Sequence, residues 1–189
     1  MINYAEEYYD HYQEYLGKAI YREVFECNKD LPQIQILKYE KVFKDCIVYS
    51  TIGLTKYIGT TDGVLEVSMV VDSAFDNTAY ILANVLFYCI QNDIKIQSGV
   101  AISGIENIDL GFFENYNKNS IYFTEPYAFP EEFMYVYDEK DNMVGKVLLA
   151  FFISKSEYDY IVNYGCDEFE SLLEENNVDP FNIKRKSVV

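Results

Sequence analysis

Two hydrophobic runs, residues 48–54 and Leu65–Val71, dominate the pattern of apolar and polar positions along the chain. Both are rich in β-branched and aromatic residues, the types that favour strands. The second run is apolar at almost every position except Glu66 and Ser68, as expected of a strand largely buried in a sheet. The pattern predicts that these two strands pair in the centre of a β-sheet.

Helical patterns occur on either side of these strands. Residues 78–90 are apolar nearly all round, which is typical of a buried helix, and Asp76 or Asn77 could cap it. Apolar positions spaced three and four apart predict an amphipathic helix near residue 5, with Asn3 and Glu6 as its capping box. The chain therefore has a predicted central helix and a predicted N-terminal helix.

The C-terminal third predicts a hairpin followed by two helices. Residues 133–137 and 146–153 flank a turn-like segment, and a capping box at 154–157 opens a helix that ends at Gly165. A second helix is predicted over 167–176, with Phe169, Leu172 and Leu173 turned inward. Residues 34–39, 99–102 and 121–124 are further predicted strands, and residues 103–120 are predicted to form a long loop.

These patterns predict one α+β domain with a mixed, mainly antiparallel sheet, a buried central helix and helices at both ends. The length of 189 residues suits a single domain. We expect the N-terminal helix and first strand within 1–46, the main body over 47–188, and a basic tail within 180–189.

The charge balance narrows the classes of partner. The chain has 15 basic and 31 acidic residues, for a net charge of −16. Nucleic-acid binding needs a basic surface, so the balance argues against it. A field of one sign attracts oppositely charged proteins, which fits a basic protein partner. Acidity that only keeps the protein in solution is the alternative explanation.

The cysteines and the start of the chain predict a cytoplasmic location. The cysteines Cys27, Cys46, Cys89 and Cys166 form no C-x-x-C pair, and no basic-then-apolar leader opens the sequence. We expect reduced, mostly buried thiols. The longest apolar stretch, 79–90, is too short to span a bilayer, so no membrane association is predicted.

The sequence offers little catalytic chemistry. His11 is the single histidine, which disfavours Ser-His-Asp and Cys-His catalysis as well as zinc sites. No phosphate-binding glycine motif occurs. We therefore predict a protein that is not an enzyme and has no cofactor or metal. Glu66 is the exception to consider, as either a functional carboxylate with a perturbed pKa or, more commonly, a structural carboxylate paired with Lys or Arg.

Two features point to protein binding instead. The predicted last helix carries a dense set of acidic residues, which we take as candidate contacts for a basic partner: Glu168, Glu170, Glu174 and Glu175. Aromatic residues are also dense near two predicted turns and could anchor an interface: Phe112 and Phe113 with Tyr116 in the predicted long loop, and Tyr127 with Phe129 after the strand at 121–124. The alternatives are a solvated helix face and a loop that packs its own side chains onto the core.

The ordered motifs of the chain resemble the suppressor of fused family, in its compact bacterial branch. The resemblance extends from about residue 47 to residue 188, and its first marks are TIGLT at 51–55 and EVSM at 66–69. Its further marks are ILAN at 81–84, YFTEPYAFP at 122–130, FIS at 152–154, EY at 157–158, Gly165, FE at 169–170, VDP at 178–180 and RKSV at 185–188. The resemblance implies a mixed sheet with packed helices and a role in binding proteins.

Three functional hypotheses follow. Bacterial members of the family are often immunity proteins or antitoxins against secreted toxins, including nucleases, whose basic surfaces would suit an acidic inhibitor. Animal members restrain a transcription factor by gripping an extended peptide, with a second domain that has no counterpart here, which makes a regulatory, peptide-sequestering protein the second hypothesis. The third is an enzyme with a carboxylate-based site.

Overall fold

A computed structural model describes residues 3–28, 31–57, 63–72 and 77–189 of the chain. Its helices are α1 (Tyr4–Leu16), α2 (Thr78–Gln91), α3 (Leu110–Tyr116), α4 (Lys155–Tyr164) and α5 (Cys166–Glu175). Its strands are β1 (Tyr21–Phe25), β2 (Ile34–Glu40), β3 (Ile47–Ile52), β4 (Leu65–Val71), β5 (Ala101–Ser103), β6 (Ser120–Thr124), β7 (Tyr135–Tyr137) and β8 (Met143–Ile153).

The strands form one mixed, mainly antiparallel sheet in the order β1-β2-β3-β4-β8-β6-β5, and β7 pairs with β8. The predicted central pair is confirmed, because β3 and β4 are antiparallel neighbours with Val48 opposite Val70. β4 and β8 are the parallel neighbours, with Leu65 opposite Lys146. The predicted α+β class is therefore confirmed.

Both faces of the central strands are covered, which explains why β4 is buried at every position. Successive strand residues point to opposite faces. Accordingly, Val67 and Met69 join the core cluster under α2, while Val70 joins the cluster under α1. The predicted central helix is confirmed as α2, in which ten of fourteen residues are buried.

The C-terminal part follows the predicted pattern closely. β7 and β8 form the predicted hairpin, with Tyr135 opposite Lys146. The capping box of α4 is present: Ser154 accepts from the Glu157 N–H, and the Glu157 carboxylate accepts from the Ser154 N–H. The segment after α5 then lies along the end of β4, where the Ile183 N–H donates to Asp72 at 3.0 Å.

The predicted long loop over 103–120 is wrong. The segment contains a short 3-10 turn and the helix α3, whose first turn is capped by Asp109 accepting from the Phe112 N–H at 2.9 Å. Glycine, asparagine and aspartate favour turns, but Asp109 is also a good N-cap residue. The capping signal therefore outweighs the loop-like composition.

Two predicted caps differ in detail, and one strand was not predicted. The side chain of Asn3 makes no cap hydrogen bond to the backbone of α1; it donates to the Glu6 side chain at 2.9 Å. Asn77 donates to Asp109 rather than capping α2, and Asp76 lies outside the described residues. The edge strand β1 has little hydrophobic periodicity because most of its side chains are exposed.

Candidate functional site

A groove of about 710 Å³ runs beside α5, and we call it the α5 groove. Its residues come from α5, from the segment that follows α5, from β6 and the turn after it, from β8, and from the segment before β5. The lining consists of Ser98, Thr124, Glu125, Tyr127, Phe151, Glu170, Leu173, Glu174, Asn177, Val178 and Pro180.

Two apolar residues fix the orientation of α5. Phe169 is fully buried and Leu173 is nearly so, and both belong to a core cluster with Tyr122. The rings of Phe169 and Tyr122 meet edge to face with centroids 5.3 Å apart. Because residues three and four apart share a helix face, Glu170 and Glu174 lie next to each other on the side that lines the groove.

Glu170 is held in place by two hydroxyl groups of β6. The Tyr122 hydroxyl donates to Glu170 Oε1 at 2.8 Å, and the Thr124 hydroxyl donates to the same oxygen at 2.7 Å. Burial, followed by the neighbouring Glu170, raises the pKa of Tyr122 far above its ordinary value, so the phenol remains a neutral donor. The carboxylate is thereby oriented while its lining position leaves it accessible from the groove.

The groove combines acidic and apolar surface. The apolar area comes mainly from Tyr127, which is 61% exposed, and from the half-buried Val178, while Phe151 and Leu173 form the largely buried floor. Glu125 adds a third carboxylate to the pair on α5, and the lining residues include no Lys or Arg. A partner segment that carries a basic side chain beside an apolar one would match this surface in charge and in polarity.

The candidate contact residues from the sequence do not all gather here. Glu168 and Glu175 are exposed on α5 but do not line the groove. Phe112 is 1% exposed and packs against Phe152 in the core under α2, with ring centroids 4.6 Å apart. Its side chain therefore belongs to the core. Phe113 is half-buried on α3.

Sequence reasoning pointed to Tyr127 but missed Thr124 and Glu125, the other groove residues from β6 and its turn. Thr124, Glu125 and Tyr127 lie within the conspicuous run at 122–130, so the aromatic density near Tyr127 was the available signal. That signal could not place the run beside α5, because the two are about 40 residues apart in sequence. The packing of Phe169 on Tyr122 and the hydrogen bonds from Tyr122 and Thr124 to Glu170 bring them together.

Glu66 is a structural residue with a different set of partners from the predicted Lys or Arg. It is 1% exposed and accepts hydrogen bonds from the Thr51 hydroxyl at 2.6 Å and from the backbone N–H of Gly53, Leu54 and Thr55 at 2.7–3.2 Å. Burial raises the pKa of the Glu66 carboxyl, although these donors act in the opposite direction. Gly53 adopts a φ of +114°, which allows the turn that aims the three N–H groups.

The remaining candidates for chemistry are also structural. His11 is buried, its Nε2 lies 2.9 Å from the Phe133 carbonyl oxygen, and burial lowers its pKa. The prediction of mostly buried thiols is wrong: Cys89 is buried, Cys27 is exposed, and the other two are half-buried. All four are free thiols. Burial raises the pKa of Cys89 to about 12, so this thiol is unreactive.

Within the described ranges, no group of three His, Cys, Asp or Glu side chains is arranged to hold a metal ion. In the same ranges, no helix combines the length and apolarity that crossing a membrane requires.

Comparison with known proteins places the chain in a family. The family model of the suppressor of fused protein (SUFU) matches residues 30–186. The chain belongs to the suppressor of fused family. The family match begins at residue 30, before β2, whereas the sequence resemblance begins at about residue 47. The match therefore includes β2 as well as β3 and β4.

Relatives of this SUFU-family chain are similar over most of its length. The immunity protein YqcF of Bacillus subtilis (strain 168) is 27% identical over 146 residues, which cover 75% of this chain and 73% of YqcF. Among solved structures, a SUFU homologue from Neisseria gonorrhoeae FA 1090 superposes with a TM-score of 0.78 at 17% identity, covering 99% of this chain and 97% of that one.

Two further structures share the fold at lower identity. The Sufu–Fu complex matches with a TM-score of 0.69 at 12% identity, covering 98% of this chain and 92% of the matched chain. Drosophila Suppressor of Fused matches with a TM-score of 0.63 at 11% identity. The SUFU-family chain spans 50% of that Drosophila chain, which is the longer of the two.

Proposed function

We propose that this SUFU-family chain is a non-enzymatic immunity protein that neutralises a basic toxin by direct contact through the α5 groove. The observation that carries the proposal is the groove itself, with three carboxylates around an apolar surface in a chain of net charge −16. The similarity to an immunity protein over three quarters of the chain supports the same conclusion. In this proposal residues 1–189 act as one cytoplasmic unit with no cofactor.

The placement of charge on α5 favours binding over stability. Asp167 and Glu168 lie in the first turn, where the helix dipole stabilises negative charge. Glu174 and Glu175 lie in the last turn, which has no basic residue and where the dipole opposes negative charge. Glu170 and Glu174 also repel each other at a spacing of four residues. A basic partner would relieve all of these unfavourable interactions.

Two double variants with equal charge change test the contact surface. E170Q/E174Q neutralises the two carboxylates that line the groove, and the glutamine at 170 keeps an oxygen that can accept from Tyr122 and Thr124. The matched control, E168Q/E175Q, neutralises two exposed carboxylates outside the lining. Both variants change the net charge by the same amount.

We expect capture of the toxin from the native host by the unaltered chain, identified by mass spectrometry as a protein whose expression alone arrests growth. E170Q/E174Q should weaken binding at least about tenfold and abolish protection, mainly by faster dissociation. E168Q/E175Q should protect cells and slow association modestly at low salt. Equal protection by both variants would remove the groove from the proposal.

The same experiment separates the two alternative hypotheses. A captured protein whose expression does not arrest growth would favour the regulatory protein that sequesters a peptide, a role for which the fold match to the Sufu–Fu complex is the supporting observation. The carboxylate enzyme has weaker support, because the buried Glu66 already accepts four hydrogen bonds. Turnover of the captured protein would restore that third hypothesis.

A further inference from the structure

The outer edge of the sheet at β1 is an exposed surface that the proposed function does not use. β1 pairs with β2 on one side, and the order of the sheet places no described strand on its other side. The large apolar residues Ile20, Tyr21 and Val24 are 54%, 58% and 43% exposed along this edge. An edge strand presents unpaired N–H and C=O groups to which another strand can bind.

β1 lacks the usual features that keep an edge strand from pairing. Its five residues are in continuous register with β2, from Tyr21 opposite Lys38 to Phe25 opposite Ile34, so no bulge twists the edge away. It contains no proline or lysine. Its two charged residues, Arg22 and Glu23, have opposite signs, so the strand itself carries no net charge in a strongly acidic chain.

We propose that β1 is a self-association surface, on which a second copy of this chain adds its own β1 in antiparallel orientation to extend the sheet across a two-fold axis. Opposing residues in such a pair point to the same face of the sheet. Odd-numbered residues of β1 point to one face of the sheet and even-numbered residues to the other. The two-fold axis therefore has to lie midway between the two copies of one and the same residue, which we call the centre of the pair. Centres at the three interior residues of β1, Arg22, Glu23 and Val24, pair at least three β1 residues of each copy, whereas a centre at either end of the strand pairs only one.

Charge selects one of these three registers. A pair centred on Arg22 or on Glu23 would place two identical charges directly opposite each other, which is destabilising. A pair centred on Val24 places the two Val24 side chains together and puts Arg22 of each copy opposite Glu26 of the other. Glu26 is exposed and hydrogen-bonded only to the neutral Gln33 among the described residues, so it is available for this ion pair.

The test measures the mass of the full chain by sedimentation equilibrium over a wide concentration range at about 0.15 M salt, where charges more than about 8 Å apart are largely screened. We expect a monomer that becomes a dimer as concentration rises. R22E should lower the association constant at least about tenfold by opposing two acids, and R22E/E26R should restore it. Circular dichroism verifies that each variant is folded.

K155E is the matched control, because it makes the same charge change at an exposed position of α4, a helix that contacts β5 at the opposite edge of the sheet from β1. It should dimerise like the unaltered chain. Hydrogen exchange at residues 21–25 should slow as the unaltered chain dimerises. A chain that stays monomeric up to about millimolar concentration, a dimer that R22E leaves intact, or a failure of R22E/E26R to restore association would overturn the proposal.

Discussion

Four glutamates of this SUFU-family chain occupy two contrasting settings. Glu66 and Glu157 are buried inside the molecule, whereas Glu170 and Glu174 line the α5 groove. Each buried carboxylate accepts at least four hydrogen bonds, and Glu157 also forms an ion pair with Arg185. A carboxylate that is saturated with internal donors is structural, while one that faces a groove keeps acceptor capacity for a partner.

The two buried glutamates also differ from each other. Glu66 is satisfied by a hydroxyl and by backbone N–H groups of one turn, without a cation. Burial alone would raise the pKa of the Glu157 carboxyl, but the hydrogen bonds and charge of Arg185 lower it below its ordinary value. Arg185 thus joins the C-terminal segment to the start of α4, and its backbone carbonyl accepts from the buried Lys118 at 3.0 Å.

The largest loss of stability is expected from R185A. Removing the guanidinium leaves Glu157 buried without its counter-charge, and breaking such a pair costs about 3–5 kcal/mol of the free energy of unfolding. Urea unfolding at pH 7 measures the loss. The control is E157M/R185M, which removes both charges and should be clearly more stable than R185A. If R185A lost less than about 1 kcal/mol, the C-terminal segment would not depend on this pair.

The second-largest loss of stability is expected from E66Q. An amide replaces one carboxylate oxygen by an NH₂ group, which cannot accept hydrogen bonds from the donors around Glu66. Buried donors that are left unpaired cost about 2–3 kcal/mol of the free energy of unfolding. Equilibrium unfolding of E66Q is compared with that of T51V, which removes the hydroxyl that donates to Glu66 and accepts from the Val67 N–H. T51V should lose less than E66Q. Equal losses would place the stabilisation in the Thr51 contact alone.

The two buried carboxyls should respond to pH with opposite signs. The folded pKa of Glu157 lies below its ordinary value of 4.5, so the stability it contributes is present above pH 4.5 and is lost as pH falls. The folded pKa of Glu66 lies above 4.5, so its contribution declines as pH rises above 4.5. Each slope is limited to about 1.4 kcal/mol per pH unit.

Unfolding free energies of the unaltered chain, E157Q and E66Q over the pH range from about 3 to 7 provide the measurement. The difference between the unaltered chain and E157Q should shrink toward low pH. The difference between the unaltered chain and E66Q should shrink toward high pH. Slopes of the same sign would mean that the two sites are electrostatically alike.

The smallest expected changes in the free energy of unfolding come from substitutions in α5. E174Q and E175Q should each raise the free energy of unfolding by about 0.3 kcal/mol, because they remove negative charge from the C-terminal turn of α5. E168Q should lower it slightly, since Glu168 lies in the first turn. Thermal unfolding at low ionic strength resolves these small changes. A stabilised E174Q that also binds the toxin more weakly would demonstrate that binding is favoured at the expense of stability.

Local sequence determined much of this protein. The β3–β4 pair, the apolar helix α2, the β7–β8 hairpin and the capping box at Ser154 all depend on contacts between nearby residues or on strong hydrophobic periodicity, and all are confirmed. The two runs with which the family resemblance begins were also recognisable. The hydrogen bonds that Glu66 of the second run accepts from the turn after the first run were not predicted.

Tertiary structure decided the rest. The α5 groove exists because Phe169 packs on Tyr122 and so brings α5 beside the turn after β6, a contact between distant parts of the chain that no local pattern contains. The edge strand β1 takes its conformation from β2 rather than from its own weak periodicity. Likewise, the sequence places Arg185 in a basic tail, but its side chain is almost fully buried because it is paired with Glu157. Long-range pairing, rather than residue type, sets the role of each of these residues.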